Sequence, residues 1–200
     1  MSRVLVNIRG CNGAGKSTIP MSMMSDPAMY VQDIKGSDGK KIGAVTVFPS
    51  WGWVALGTYF NKTGGLDVIK NNWCTRATLL FAIEFFPEYD ILMEGIMAST
   101  IRSTYIDLFH DIEDYYGDDA PQVMILSLLP PVDVAISRVY ERNGGKPIKE
   151  DQVAGKWATV ERNVDAFAEA GFISIRVNSA KVKKGGMLKA FLKTVDKHRR

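Results

Sequence analysis

The run Gly10-Cys11-Asn12-Gly13-Ala14-Gly15-Lys16-Ser17-Thr18 satisfies the pattern G-x-x-x-x-G-K-[ST] at every required position. It follows Val4-Leu5-Val6-Asn7-Ile8, a short apolar run that reads as a buried strand, so the glycines fall where a strand turns into a helix. Glycine lets successive backbone N–H groups curl around an anion, and the start of the next helix adds its positive end. A nucleoside triphosphate is the expected ligand. Lys16 is expected at the β and γ phosphates, and the Ser17 hydroxyl on the magnesium that bridges them.

The rest of the chain fits a βαβ frame. The loop leads into a helix over about 17–25, with Pro20 tolerated in the first turn, where an N–H has no internal partner. A short second strand near 29–32 ends at Asp33, from which a carboxylate reaches the phosphate loop if the two strands are neighbours. Ala44-Val45-Thr46-Val47-Phe48 and Trp53-Val54-Ala55-Leu56-Gly57 read as a β-hairpin insert, spanning about 36–66 with its flanks. Asp67, after the paired glycines Gly64 and Gly65, is either the N-cap of the next helix or a group acting on an acceptor hydroxyl. That helix runs over 68–86, with Ile69, Trp73, Ala77, Leu80 and Ile83 at helical spacing as its packed stripe. Arg76 lies among them, as a phosphate contact or as a side chain with its head in water.

Asp90-Ile91-Leu92-Met93-Glu94-Gly95 delivers a carboxylate at the end of an apolar strand. Phosphate-loop enzymes need such an acid to hold magnesium, and Glu94 is the residue offered. The continuous apolar run 123–129 marks a central parallel strand. Arg138 and Arg142, four apart on one helix face, precede the glycine-containing stretch 143–147 and form the core of an arginine-bearing lid over about 138–162. Trp157 in that segment stacks on a base or packs. The 178–180 loop after the last strand lies where an adenine is held.

This alternation predicts an α/β, doubly wound parallel sheet of the P-loop NTPase type, in one kinase domain over 1–200. With 46% hydrophobic and 24% charged residues the chain has the balance of a globular protein. No apolar run approaches the ~18 residues of a membrane span, so no membrane partner and a cytoplasmic location are expected, host cytoplasm if the gene is a phage's. Cys11 and Cys74 have no metal-ligand spacing. The net charge is only +3, yet the end of the chain is basic: Lys181, Lys183, Lys184, Lys189, Lys193, Lys197, Arg199 and Arg200 face one acid, Asp196. Such a tail binds nucleic-acid backbone or is a solvated helix face. The absence of an acid after Asn61-Lys62-Thr63 removes the N-K-x-D motif of GTPases.

Residues 9–19, 56–67, 91–105 and the Arg138/Arg142 pair together resemble the nucleotide-kinase-like P-loop kinases, and most closely the phage 5-hydroxymethyluracil DNA kinases. The resemblance implies ATP and Mg2+ as donor and cofactor, and as acceptor the hydroxymethyl group of a modified pyrimidine in DNA, phosphorylated as a step toward base hypermodification. It implies that 10–18 hold the donor and makes Asp67 and Glu94 the acids at the acceptor end. Asp33 competes with both, since polynucleotide-type kinases use an aspartate after the second strand. A kinase of free nucleoside monophosphates and a non-catalytic, DNA-associated ATP-binding module are the other readings of the same residues.

Overall fold

The computed structural model describes residues 2–60, 64–183 and 185–200. Seven strands form one sheet in the order β2-β3-β4-β5-β1-β6-β7. They are β1 (Val4–Arg9), β2 (Tyr30–Lys35), β3 (Lys41–Phe48), β4 (Trp53–Leu56), β5 (Asp90–Glu94), β6 (Gln122–Leu128) and β7 (Ile173–Val177). From β4 to β7 all neighbours run parallel, whereas β2, β3 and β4 form an antiparallel meander at one edge.

The helices are α1 (Thr18–Met23), α2 (Asn72–Phe85), α3 (Ile96–Thr100), α4 (Ser103–Tyr116), α5 (Val132–Arg142), α6 (Glu150–Glu169) and α7 (Met187–His198). They cover both faces of the sheet because the parallel strands are apolar on both sides. Leu5, Ile91, Met93, Val123 and Ile125 face Leu79, Ala82 and Ile83 of α2 and Leu108, Phe109 and Ile112 of α4. Val4, Val6, Ile8, Leu92 and Leu126 face Ile19 and Met23 of α1 and Leu188, Phe191 and Val195 of α7. The long α6 wraps the β7 edge, with Val153 in one core and Phe167 in the other. None of the described helices is long and apolar enough to cross a membrane.

Three local expectations change. The hairpin at 44–56 forms, but its second strand pairs with β5, with Val54 opposite Ile91, so it extends the main sheet. Its partner strand is β2, which therefore lies four places from β1. Asp33 sits in that distant edge strand, exposed, and binds Lys41 at 2.6 Å. It cannot serve the phosphate loop.

The buried face of α2 is also turned from the expected stripe. Cys74, Thr75, Thr78, Leu79, Ala82 and Ile83 are buried, while Trp73 is 63% exposed. Two threonines can face the core because each hydroxyl returns to the carbonyl four residues back, Thr75 to Asn71 and Thr78 to Cys74. Beneath them β3 carries Gly43, where a Cβ would come within 2.0 Å of Thr78 Oγ1. The helix rests directly on strand backbone there, a contact that hydrophobic periodicity does not record.

Candidate active site

Strand β1 ends between β5 and β6, with Ile8 opposite Glu94 and Arg9 opposite Ser127. The loop at 10–17 therefore emerges beside the acid that ends β5. The Ser17 hydroxyl donates to Glu94 Oε1 at 3.1 Å. Lys16 is 6% exposed, and its ammonium donates to the carbonyls of Gly10 at 2.8 Å and Cys11 at 3.2 Å. Both carbonyls are acceptors that phosphate oxygens can replace. Gly13 and Gly15 have φ of 79° and 95°, in the range that turns backbone N–H groups inward.

Glu94 is 1% exposed, and burial pushes its carboxyl up to about 7 against the pull of Lys16 and Ser17. Burial likewise lowers the Lys16 ammonium, opposed by Glu94 and Asp67. A dication beside Ser17 and Glu94 would hold the carboxylate ionised and relieve its burial. Two hard oxygens, the Ser17 hydroxyl and the Glu94 carboxylate, are of the kind that would hold magnesium. Among the described residues no group of three His, Cys, Asp or Glu side chains gathers to hold a metal alone.

Asp67 lies in a 3-10 turn (Leu66–Val68), five residues before α2 begins. It does not cap α2, whose N-cap is Asn71, accepting from Cys74 N at 2.9 Å. Its Oδ1 accepts instead from Ile96 N at 2.8 Å, at the start of α3 and two residues past Glu94. The two acids are brought together by Gly65, at φ 62°, where a Cβ would meet Glu94 Oε1 at 2.6 Å and Glu94 O at 2.4 Å. Behind them Tyr59 is buried, and burial with the nearby Glu94 and Asp67 charges drives its phenol well above the ordinary value.

The short α3 is bound to the base of the loop. Ser99 Oγ accepts from Gly10 N at 3.1 Å and donates to Gly95 O at 2.6 Å. Arg9, fully buried, donates to Ser99 O at 2.7 Å and Ile101 O at 3.0 Å, with its guanidinium 4.4 Å from the centre of the Phe167 ring. Burial brings its pKa down to about 9. Asp67 at one end of α3 and Arg9 at the other both match the helix dipole. Arg9 Nε and Nη1, both amide atoms of Asn7 and the Ser127 hydroxyl are buried without a partner. They lie on one face of neighbouring strands. The position of Arg9 between an apolar strand and the loop offered no sequence signal of this role.

On the other side, Arg138 gives its donors to Gly13 O at 3.3 Å, Ser179 Oγ at 3.4 Å and Ser179 O at 3.4 Å. Ser179 is buried and donates to Ala14 O at 2.8 Å. This pair braces the carbonyl side of the loop. Arg142 is exposed and close enough to Lys16 to oppose its charge. Lys156, within the expected lid segment, reaches Asn12 Oδ1 at 3.4 Å from α6. Trp157, half-buried, packs against the α1/α7 side of the core and donates to Pro130 O at 2.7 Å, as the packing alternative expects. Arg76 pairs with Asp111 beside a cleft of about 530 Å³ between α2 and α4, away from the loop.

The basic tail divides. Arg199 pairs with Asp90, and Arg200 N donates to Gln122 Oε1 at 3.1 Å. Asp90 and Gln122 open β5 and β6, at the end of the sheet opposite the phosphate loop. Lys189, Lys193 and Lys197 are exposed along α7. Lys184 and the Asn61-Lys62-Thr63 stretch lie outside the described residues.

The sequence model of the family described as 5-hmdU DNA kinase matches residues 3–187. The chain belongs to the 5-hmdU DNA kinase family. It is 48% identical over 174 residues to the 5-hmdU DNA kinase of Bacillus phage SP10, covering 86% of this chain and 26% of that protein. It is 36% identical over 163 residues to the 5-hmdU DNA kinase of Pseudomonas phage M6, covering 78% and 81%. It is 32% identical over 163 residues to 5-hmdU DNA kinase 1 of Salmonella phage ViI, covering 78% and 67%. The chain thus spans about a quarter of the SP10 relative's length. The 5-hmdU DNA kinase match holds the loop, Asp67, Glu94, α5 and α6, and stops at the first residue of α7.

Proposed function

We propose that this chain is a kinase that transfers the γ-phosphate of ATP to the 5-hydroxymethyl group of a modified uracil in DNA. The observation that carries the reading is the meeting of Ser17 and Glu94 at 3.1 Å beside Lys16, in a chain of the 5-hmdU DNA kinase family. That pairing joins a triphosphate loop to an acid able to share its metal.

The loop amides hold the donor phosphates, and Lys16 leaves the Gly10 and Cys11 carbonyls for the β and γ oxygens. Ser17 and Glu94 would hold magnesium, which would supply positive charge to the donor phosphates. The acceptor oxygen bonds to the γ phosphorus as the bond from that phosphorus to the β–γ bridging oxygen breaks, and ADP leaves. The acceptor's proton goes to Asp67, which we assign as general base. Its Oδ1 is fixed by Ile96 N, the residue is exposed, and among the described residues no hydrogen bond engages Oδ2, which can face the acceptor. Glu94 is committed to Ser17 and the metal. Arg142 and Lys156 supply positive charge at the donor end, and Arg138 keeps the loop in shape.

The test is transfer of labelled γ-phosphate to three acceptors in parallel: duplex DNA containing 5-hydroxymethyluracil, the same duplex with thymine, and free nucleoside monophosphates including the hydroxymethylated one. Incorporation into the first alone is expected. Incorporation only into the free monophosphate would make the chain a nucleotide kinase.

A further inference from the structure

Four of the ten large apolar side chains exposed among the described residues stand on the segments 58–73 and 95–97 that flank Asp67 and Glu94. Phe60 is 60% exposed, Trp73 63%, Met97 56% and Val68 41%. Val68 follows Asp67 in the same turn, and Met97 follows Ile96, whose N–H Asp67 accepts. Phe60 lies just beyond the Thr58–Gly65 bridge, the contact that carries Gly65 to Glu94. Trp73 stands in the first turn of α2, which leaves the same end of the sheet before descending to β5. Exposed apolar groups scattered singly need no explanation, but four on the short segments flanking one site point to a binding surface there.

The chemistry there is sunken, with Lys16 6% and Glu94 1% exposed. In a stacked duplex the 5-substituent of a pyrimidine lies in the major groove, edged by two phosphate backbones. A rigid helix cannot lower that group into a site whose phosphate-binding lysine and metal-holding acid are both buried. A single base turned out of the stack can, and it needs a surface to replace the stacking it loses. Aromatic side chains supply this for any base. Lys70 and Arg102 are exposed on the same two connections, and Asp67 is the sole acid in 64–73 and 95–102. Positive charge therefore rims the apolar set where phosphates would pass.

We infer that the rim formed by Phe60, Val68, Trp73 and Met97 receives a base extruded from DNA, with Lys70 and Arg102 on the flanking phosphates. The inference rests on the DNA-acceptor reading. It names the state in which the base is held and the surface that holds it.

The experiment uses a duplex carrying 5-hydroxymethyluracil with 2-aminopurine as its neighbour, whose fluorescence rises when stacking is lost. Adding the protein with a non-hydrolysable ATP analogue raises the signal several-fold. Trp73→Ala and Phe60→Ala, both at exposed positions that leave the core intact, abolish the rise and increase the KM for DNA by about tenfold or more. Their affinity for nucleotide is unchanged. Opposing the modified base with a mismatch, which lowers the cost of unpairing, decreases the wild-type KM. Transfer to the duplex with no fluorescence change, and with a KM indifferent to mismatch and to both substitutions, would overturn base extrusion and leave the kinase reading standing. Failure to phosphorylate any hydroxymethylated DNA would overturn both.

Discussion

Replacing Glu94 with Gln should make the metal-free protein more stable at pH 8 while abolishing transfer. Glu94 is 1% exposed, and its carboxyl is pushed up to about 7 from an ordinary 4.5, chiefly by burial. The folded chain therefore holds this proton more tightly than the unfolded chain. Stability falls as pH rises from about 4.5 to about 7 and stays reduced above that. The difference of about 2.5 pH units, at about 1.36 kcal/mol each, sets a limit near 3 kcal/mol. The amide introduced by Glu94→Gln mimics the protonated acid and still accepts the Ser17 hydrogen bond, so the variant escapes this cost. In a domain of this size the gain corresponds to roughly 6–12 °C in Tm. Urea unfolding in EDTA without nucleotide, at pH 8 and pH 5, measures it. The gap should be about 3 kcal/mol at pH 8 and under about 1 kcal/mol at pH 5, where the folded wild type is already protonated. A variant less stable than wild type at pH 8, or a gap equal at both values, would refute the account of Glu94 as a buried carboxylate awaiting a metal.

Asp67→Asn should lower turnover by about 10²-fold or more while nucleotide affinity is retained, because it removes the proposed base and spares the loop; steady-state transfer with nucleotide titration checks this, and unchanged turnover would release Asp67 from the chemistry. Gly65→Ala should nearly eliminate activity, since its methyl would press on Glu94 in a backbone conformation that alanine resists; activity near wild type would mean the two acids are not held together by that contact. Arg199→Ala should cost stability by loosening the tail from Asp90, yet leave the salt dependence of DNA binding unaltered. A flatter log–log salt slope in that variant would restore the tail as a DNA contact.

The meeting of the loop with Glu94 was legible because the motifs that carry it are local. The phosphate loop needs glycines, a lysine and a hydroxyl at fixed spacing after a strand, and the acid at the end of an apolar strand is equally compact. The acceptor half depends on long-range contacts. Asp33 and Asp67 look alike in sequence, and only the order of strands separates them: β2 pairs outside β3, four places from β1, while Gly65 folds back onto Glu94. The shift of the buried face of α2 follows from the missing side chain at Gly43, far away in sequence. Arg9 carried no signal and Lys156 only its place in the lid segment, because a strand-end arginine and a helix lysine become specific only through the carbonyls of α3 and the Asn12 amide. The basic tail left two readings open, since composition cannot tell that Arg199 belongs to Asp90 while the α7 lysines are exposed.

The central claim is that the loop, Glu94 and Asp67 form one centre that phosphorylates a hydroxymethyl group on a DNA base. Nuclease digestion of reacted duplex to nucleosides, followed by mass spectrometry, locates the transferred phosphate most directly. The account predicts a phosphomethyl-deoxyuridine that appears with wild-type protein, ATP and magnesium and is absent with Lys16→Ala. Phosphate recovered only at 5′ termini, or only on free nucleotide, or the modified nucleoside formed equally by Lys16→Ala, would contradict it.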